Sequence, residues 1–522
     1  MNRNILLATT VVAGLAGFAS MASAQITYDA TTNPNGAQGT PKIYGGGSSL
    51  AVNMYNRTAS SIATATNVGT ATLNQGLNTP GAIAGSTQGE LWYQADGSGA
   101  GQKAFLTQTP TVHTQETDAG AVVAFGATDA YLSTSQIACW NTGSATDCSA
   151  AGYSTPTASA KSKGGPLIQL PAFGTAIAIA HTNFAFTKGI QLDDNDICGI
   201  FSGKITDWSG IETKPGGTAP KGLGGAIKVY YRQDGSGTSF LFTQHLAAVC
   251  NSTNSASGVT FTATKLFADV FGATSSGGTW TAGAFTTNTS GHHFIGAGHT
   301  PAGSTFVAAS GSGGVADGLI GGTNNVAYLT PDYTSIAPKG LVHYAAVAAL
   351  AHTTINTATI DPSLSVYQNI KVAKVYNSTE GKAYLPNAGG AYVGLINPAP
   401  TDFNPGYPAS LAAAQNPTQW VPAIATPLKG YPIVGYTTLE LPTCYYDAGT
   451  ANYMKAFLTQ LYSAGNKPNL VAEGFTGVPS AFSTIIKNVF ITGKAIYQLN
   501  IQNPTVCNQT TLAGTFKGLG AP

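Results

Sequence analysis

Residues Arg232-Gln233-Asp234-Gly235-Ser236-Gly237-Thr238-Ser239 set an arginine beside a Gly/Ser/Thr loop. A strand-like run, Ile227 to Tyr231, precedes them, and a helix-like run, Phe240 to Val249, follows. A loop that opens a helix offers unpaired backbone N–H groups and hydroxyls to an anion. The arginine adds a planar fork of donors matched to paired oxygens. The chemistry is half of a pocket for a tetrahedral oxyanion. Three more segments share it: Tyr44-Gly45-Gly46-Gly47-Ser48-Ser49-Leu50, Asp96-Gly97-Ser98-Gly99 running on to Leu106, and Phe125-Gly126-Ala127-Thr128-Asp129 running on to Ser133. The last places one acid just after a strand. Singly, each reads more simply as a plain turn, Asp129 as a helix N-cap and Arg232 as a surface partner of Asp234. Four together, one carrying an arginine, favour a binding site.

The elements that must position these loops alternate. Ala121 to Phe125, Pro166 to Ala180, Asn325 to Leu329 and Tyr431 to Leu441 read as strands. Ser239 to Val249, Tyr453 to Tyr462 and Pro479 to Phe490 read as helices. The alternation predicts an α/β architecture. Two Gly/Ala/Thr/Asn/Pro-rich stretches, about 251–310 and 338–425, read as elaborated surface loops with short strands, and no internal repeat is visible.

Composition narrows the class. In 522 residues, charged side chains make up 9% and the net charge is +1, with no cluster of lysine or arginine, which argues against nucleic acid or an anionic membrane surface as partner. Arg3, the apolar run Ile5 to Phe18 and the small-residue site Ala22-Ser23-Ala24 read as a signal peptide over residues 1–24, with the mature chain starting at Gln25. The apolar run is too short to span a bilayer. Six cysteines in an exported chain predict three disulfides, and Cys139 and Cys148 are close enough in sequence to close one short loop. No C-x-x-C pair occurs. His292, His293 and His299 cluster in a Gly-rich stretch without an acid, so no metal is expected there. Trp208 reads as packing.

The order and wording of the segments resemble the phosphate-binding proteins of bacterial phosphate ABC transporters, and especially the related DING proteins. RQDGSGTSFLFTQHL is the most specific match. GGGSSL, FGATDAYLS, PLIQLPAFGTAIAIA, ICGIFSGKITDWSGI, NVAYLTPDY and YPIVGYTTLELPTCYY support it, in the family's order, from about residue 43 to 508. The resemblance implies an α/β periplasmic binding protein type II fold, two lobes joined by two crossover segments with the ligand cleft between them. It implies lobe 1 over residues 25–176, lobe 2 over 177–328 and the rest of lobe 1 over 329–522, with crossings near Ala176–His181 and Ala327–Pro331. It pairs Cys198 with Cys250 and Cys444 with Cys507, leaving Cys139 for Cys148. Phosphate contacts fall on Ser49, Leu50, Ser98, Asp129, Arg232, Ser236, Gly237 and Thr238, with Asp234 holding the arginine. The sequence departs from the pattern in the first loop. Gly47-Ser48-Ser49-Leu50 stands where the family has Gly-Ala-Thr-Leu or Gly-Ala-Thr-Phe; Ser49 keeps the hydroxyl and loses a methyl, so binding should survive. Gln25 to Lys42 is an extra leader.

The resemblance implies high-affinity binding of hydrogen phosphate by a periplasmic or secreted monomer without cofactor, serving a phosphate ABC transporter permease or acting outside the cell. Asp129 would accept the proton that phosphate carries and sulfate lacks. Two readings compete. Some DING-like proteins are associated with phosphatase activity, but no general base or G-x-S-x-G elbow is evident for a serine nucleophile. A surface adhesion protein would use the Gly/Thr-rich stretches instead.

Overall fold

A computed structural model describes residues 42–52, 54–55, 78–82, 88–113, 122–153, 164–183, 189–211, 224–250, 261–271, 286–287, 293–294, 305–336, 366–399, 410–445, 448–493, 497 and 499–507. The expected signal peptide and the leader up to residue 41 lie outside them, as do His292 and His299.

Among the described residues two large sheets dominate, beside a two-stranded and a three-stranded one. The first holds β1 (Lys42–Gly47), β2 (Asn78–Ala82), β3 (Gln88–Gln94), β4 (Val123–Thr128) and β5 (Leu167–Ala176). The second holds β6 (Ala178–His181), β7 (Lys228–Arg232), β8 (Thr305–Ala309), β9 (Asn325–Leu329) and β10 (Lys371–Val372). A last long strand, β11 (Val434–Pro442), returns to the first sheet, which runs β2-β3-β1-β4-β11-β5; the second runs β8-β7-β9-β6-β10. β1 is parallel to β3 and β4, while β11 is antiparallel to β4 and β5. This two-lobed α/β arrangement is the periplasmic binding protein type II fold.

Why these strands form is visible in their burial. β4, β5, β9 and β11 are buried at every position, so they read as near-continuous apolar or small-residue runs rather than alternating ones. Pro171 sits inside β5 because β5 ends the sheet's hydrogen-bonded order and a bulge near Ala172 interrupts its ladder with β11. The other edge of β5 is covered by Thr476, which exchanges two backbone hydrogen bonds with Gly174 at 2.7 and 2.9 Å.

The lobes join where β5 ends at Ala176 and β6 begins at Ala178. Ile177 between them is fixed by its N–H to Ile433 O (2.9 Å) and by Tyr431 Oη donating to its carbonyl (2.9 Å). Later strands also join lobe 2: β10 pairs with β6, and Lys374–Asn377 pairs with Gln191–Leu192 and with Lys382–Tyr384. The helix Ala388–Leu395 then packs on β5 and β11. The described part of 338–425, expected as surface loop with short strands, holds the strands Lys371–Val372, Lys374–Asn377 and Lys382–Tyr384 and also the helix Ala388–Leu395.

Three disulfides join Cys139 to Cys148, Cys198 to Cys250 and Cys444 to Cys507, with Cα separations of 4.5, 5.5 and 5.5 Å. Trp208 is packing as expected: it is buried, its Nε1–H reaches Asn324 O at 3.1 Å, and its ring meets the edge of His181.

Candidate functional site

Three helices aim their N-termini into the space between the lobes. α1 (Ser98–Thr107) comes from lobe 1; α2 (Gly237–Val249) and α3 (Gly311–Ile320) come from lobe 2. None has an acid in its first turn, so the positive ends of the three dipoles are left for an anion. Glycine makes the convergence possible. Gly97, which caps α1, has φ +103°, and a Cβ there would meet Asp234 Oδ2 at 2.5 Å. A Cβ on Gly237 would meet Asp129 Cβ and N at 2.5 Å. The lobes touch directly here: Gly99 N–H reaches Gly235 O at 2.7 Å, and Ser49 Oγ lies 3.1 Å from Ser312 Oγ.

Arg232 ends β7 and is 2% exposed. Its Nε–H binds Asp234 Oδ1 at 2.8 Å and its Nη2–H binds Asp234 Oδ2, a bidentate pair. Nη1–H donates to Ser312 Oγ at 3.0 Å, and the backbone N–H is held by Tyr328 Oη at 3.0 Å. Gly311 N–H reaches Asp234 Oδ1 at 2.9 Å, fixing the acid in turn. Burial works against the Arg232 charge, but Asp234 outweighs it and holds the pKa above its ordinary value. Burial likewise pushes Asp234 up, and the guanidinium beside it brings the carboxyl below its usual range. The arginine is therefore a fixed cation with one face tied to Asp234.

Asp129 follows β4 and is 1% exposed. It caps no helix: the next one, Thr134–Thr142, is capped by Ser133. Its carboxylate instead accepts from Ser48 Oγ (2.9 Å to Oδ1, 2.8 Å to Oδ2) and from Thr437 Oγ1 (2.8 Å to Oδ1). Its N–H points to Ser98 Oγ at 3.3 Å. Burial pushes its pKa up to about 6, against the pull of Ser48, Thr437 and the Arg232 charge.

The remaining expected residues fall around this pair. Ser98 starts α1, Ser236 caps α2 by accepting from Ser239 N–H, and Gly237 and Thr238 form its first turn. Thr238 Oγ1 is buried with no hydrogen-bond partner among the described residues, a hydroxyl that a bound oxyanion would satisfy. Leu50 puts its side chain in the core, so only its backbone can face the site. Sequence reasoning missed Ser48, Thr437 and Ser312. Ser312 stands in Ser310-Gly311-Ser312-Gly313-Gly314, a fifth Gly/Ser loop between a strand and a helix, at the end of a stretch read as surface loop. Its signal was present.

A buried polar relay crosses the cleft behind α1. Lys265 Nζ of lobe 2 donates to Gln102 Oε1, and Gln102 Nε2 donates to Glu440 Oε1 at 2.8 Å. Burial raises Glu440 to about 7 despite Gln102 and Lys265. Among the described residues, no three His, Cys, Asp or Glu side chains are grouped to hold a metal ion. What the site offers chemically is donors from both lobes, one fixed cation and one buried acceptor, Asp129.

Comparison with known proteins fits this geometry. The family described as a PBP superfamily domain matches residues 30–392. A relative named Alkaline phosphatase L, from Pseudomonas aeruginosa strain UCBPP-PA14, is 30% identical over 458 residues, 85% of this chain and 92% of that one. A phosphate-binding protein from an unknown prokaryotic organism is 29% identical over 457 residues, 85% of this chain and 98% of that one. The structure of PfluDING, a high affinity periplasmic phosphate-binding protein bound with phosphate, superposes with a TM-score of 0.60 at 27% identity, covering 90% of this chain and 98% of that one.

Proposed function

This chain belongs to the PBP superfamily, in the branch that holds the DING and phosphate-binding proteins, and on that premise we propose that it binds inorganic phosphate as hydrogen phosphate in the cleft between its lobes. The observation that carries the reading is Asp129, a buried acceptor in a site whose other groups donate. Phosphate brings a proton to meet that carboxylate. Sulfate brings only lone pairs and like charge. Arg232 offsets the ligand's charge, and Ser49, Ser98, Ser236 and Thr238, with backbone N–H groups at Leu50, Gly237 and Thr238, serve its remaining oxygens. Asp234 keeps the guanidinium in place. The protein works without a cofactor, in the periplasm or outside the cell, and a phosphate ABC transporter permease is the partner that would consume its cargo. Asp129→Asn should weaken phosphate by about 10- to 100-fold and strengthen sulfate, because the amide N–H donates where the carboxylate only accepts. Arg232→Ala leaves Asp234 without its partner and should cost roughly 100-fold or more for both ions. Calorimetry on ligand-stripped protein checks both; variants that bind phosphate like the wild type would refute the site.

A second reading, phosphomonoester hydrolysis, draws on the relatives named Alkaline phosphatase L. It also draws on the Ser48–Asp129 contact, a hydroxyl held on a carboxylate, which is the base that the sequence did not reveal. It requires p-nitrophenyl phosphate turnover that follows the purified protein and disappears in Arg232→Ala. Turnover that persists in that variant belongs to a contaminant or to another site.

A further inference from the structure

Ser48 is where the first loop carries a hydroxyl that the family pattern, with alanine, does not. Three contacts aim it. Its N–H binds Ala127 O at 2.9 Å, its carbonyl accepts from Tyr93 Oη at 2.6 Å, and Gly47 before it turns the chain at φ +132°. The side chain is 2% exposed and its Oγ lies within 2.9 Å of both Asp129 oxygens. A serine has one hydroxyl proton and an ionised carboxylate has none, so the donor is Ser48. Thr437 takes a second position on Oδ1. Oδ2, which among the described residues carries a hydrogen bond from Ser48 alone, lies beside Gly237 at the start of α2, on the cleft side.

We infer that Ser48 is a specificity-determining positioning residue: by donating to Asp129 it keeps that side chain an acceptor-only carboxylate, and so widens the pH range over which the site refuses an oxyanion that carries no proton. The inference rests on the phosphate reading. Its chemistry is the difference between a carboxylate and a carboxylic acid. The acid has an O–H to give, and a fully deprotonated oxyanion can take it. Burial favours the acid, and the Ser48 hydrogen bond is the foremost of the contacts opposing it. The charged and titratable groups that face Asp129 do not blur the effect. Arg232 from β7 stays charged, Asp234 is committed to Arg232, and Tyr55 is kept neutral by burial and by Asp129 itself.

Sulfate is the probe, because it carries no proton between about pH 5 and pH 9 and its affinity then reports Asp129. Wild-type, Ser48→Ala and Ser48→Thr proteins, stripped of ligand, are titrated with sodium sulfate and with sodium phosphate across that range. Wild-type affinity for sulfate should climb as pH falls through about 6. In Ser48→Ala the climb should begin roughly 1 pH unit higher, and Ser48→Thr should bring it back. Superimposed wild-type and Ser48→Ala sulfate curves would overturn the inference. So would a variant weakened by one common factor for both ions at every pH, since that is the mark of a hydroxyl that merely shapes the turn. Failure of the wild type to bind phosphate would sink the proposed function and this inference with it; phosphate binding with superimposed sulfate curves would sink the inference alone.

Discussion

At the scale of single residues, the site depends on keeping a carboxylate where water cannot reach it. Asp129 is fully buried, and burial raises its pKa from the ordinary range to about 6. A raised acid pKa sets the sign of its contribution to stability. The favourable protonated form is fully present below the unfolded pKa near 3.8 and is lost as pH rises through about 6. At pH 8 the ligand-free closed protein therefore carries a penalty of about 3 kcal/mol from this side chain. Asp129→Asn removes the penalty while leaving an oxygen for Ser48 and Thr437. Thermal unfolding of ligand-stripped protein should show the variant gaining on the wild type at pH 8, with the gain shrinking towards pH 4. An equal difference at both pH values would mean that Asp129 does not titrate in the folded protein. Asp129 and Arg232 were legible in the sequence because each stands beside a Gly/Ser/Thr turn. Thr437 was not. It lies inside a buried strand, in Tyr436-Thr437-Thr438-Leu439, and only the pairing of β11 with β4 brings it to Asp129.

At the scale of elements, the site is a meeting of helix starts, and what lets them meet is the absence of side chains. Gly237 opens α2 against Asp129, and an added Cβ would lie 2.5 Å from Asp129 N. Neither partner there is the free end of a flexible chain. Gly237→Ala should obstruct closure and weaken phosphate by about 10- to 100-fold, the usual cost of overpacking. The thermal midpoint of the ligand-free variant should not fall, because an opened cleft relieves the clash. Wild-type phosphate affinity in this variant would show that α2 does not approach Asp129 when ligand is bound. The helix at Gly237–Val249 was readable two residues late from its apolar run, since the run does not include the glycine and threonine of its first turn. The strand β9 was readable without error, because Asn325–Leu329 is short, apolar and bounded by turns.

At the scale of the whole molecule, two sheets face one cleft, and the contacts across it join residues more than 100 positions apart in the sequence. Ser49 meets Ser312, Gly99 meets Gly235, and Lys265 reaches Gln102 beside Glu440. Alternation of strands and helices pointed to an α/β fold, and the order of motifs pointed to two lobes. The return of later residues to the second sheet was not legible. β10 is two residues long, and its membership in the second sheet comes from pairing with β6, which no local pattern announces. In the proposed function, this closed, donor-lined cleft with one buried acceptor selects phosphate by its proton. The decisive measurement is a calorimetric titration of ligand-stripped protein at pH 8, first with phosphate and then with sulfate. The predicted result is saturable binding of one phosphate per chain, with sulfate weaker by roughly 10⁴-fold. No heat with phosphate, or equal affinity for the two ions, would contradict it.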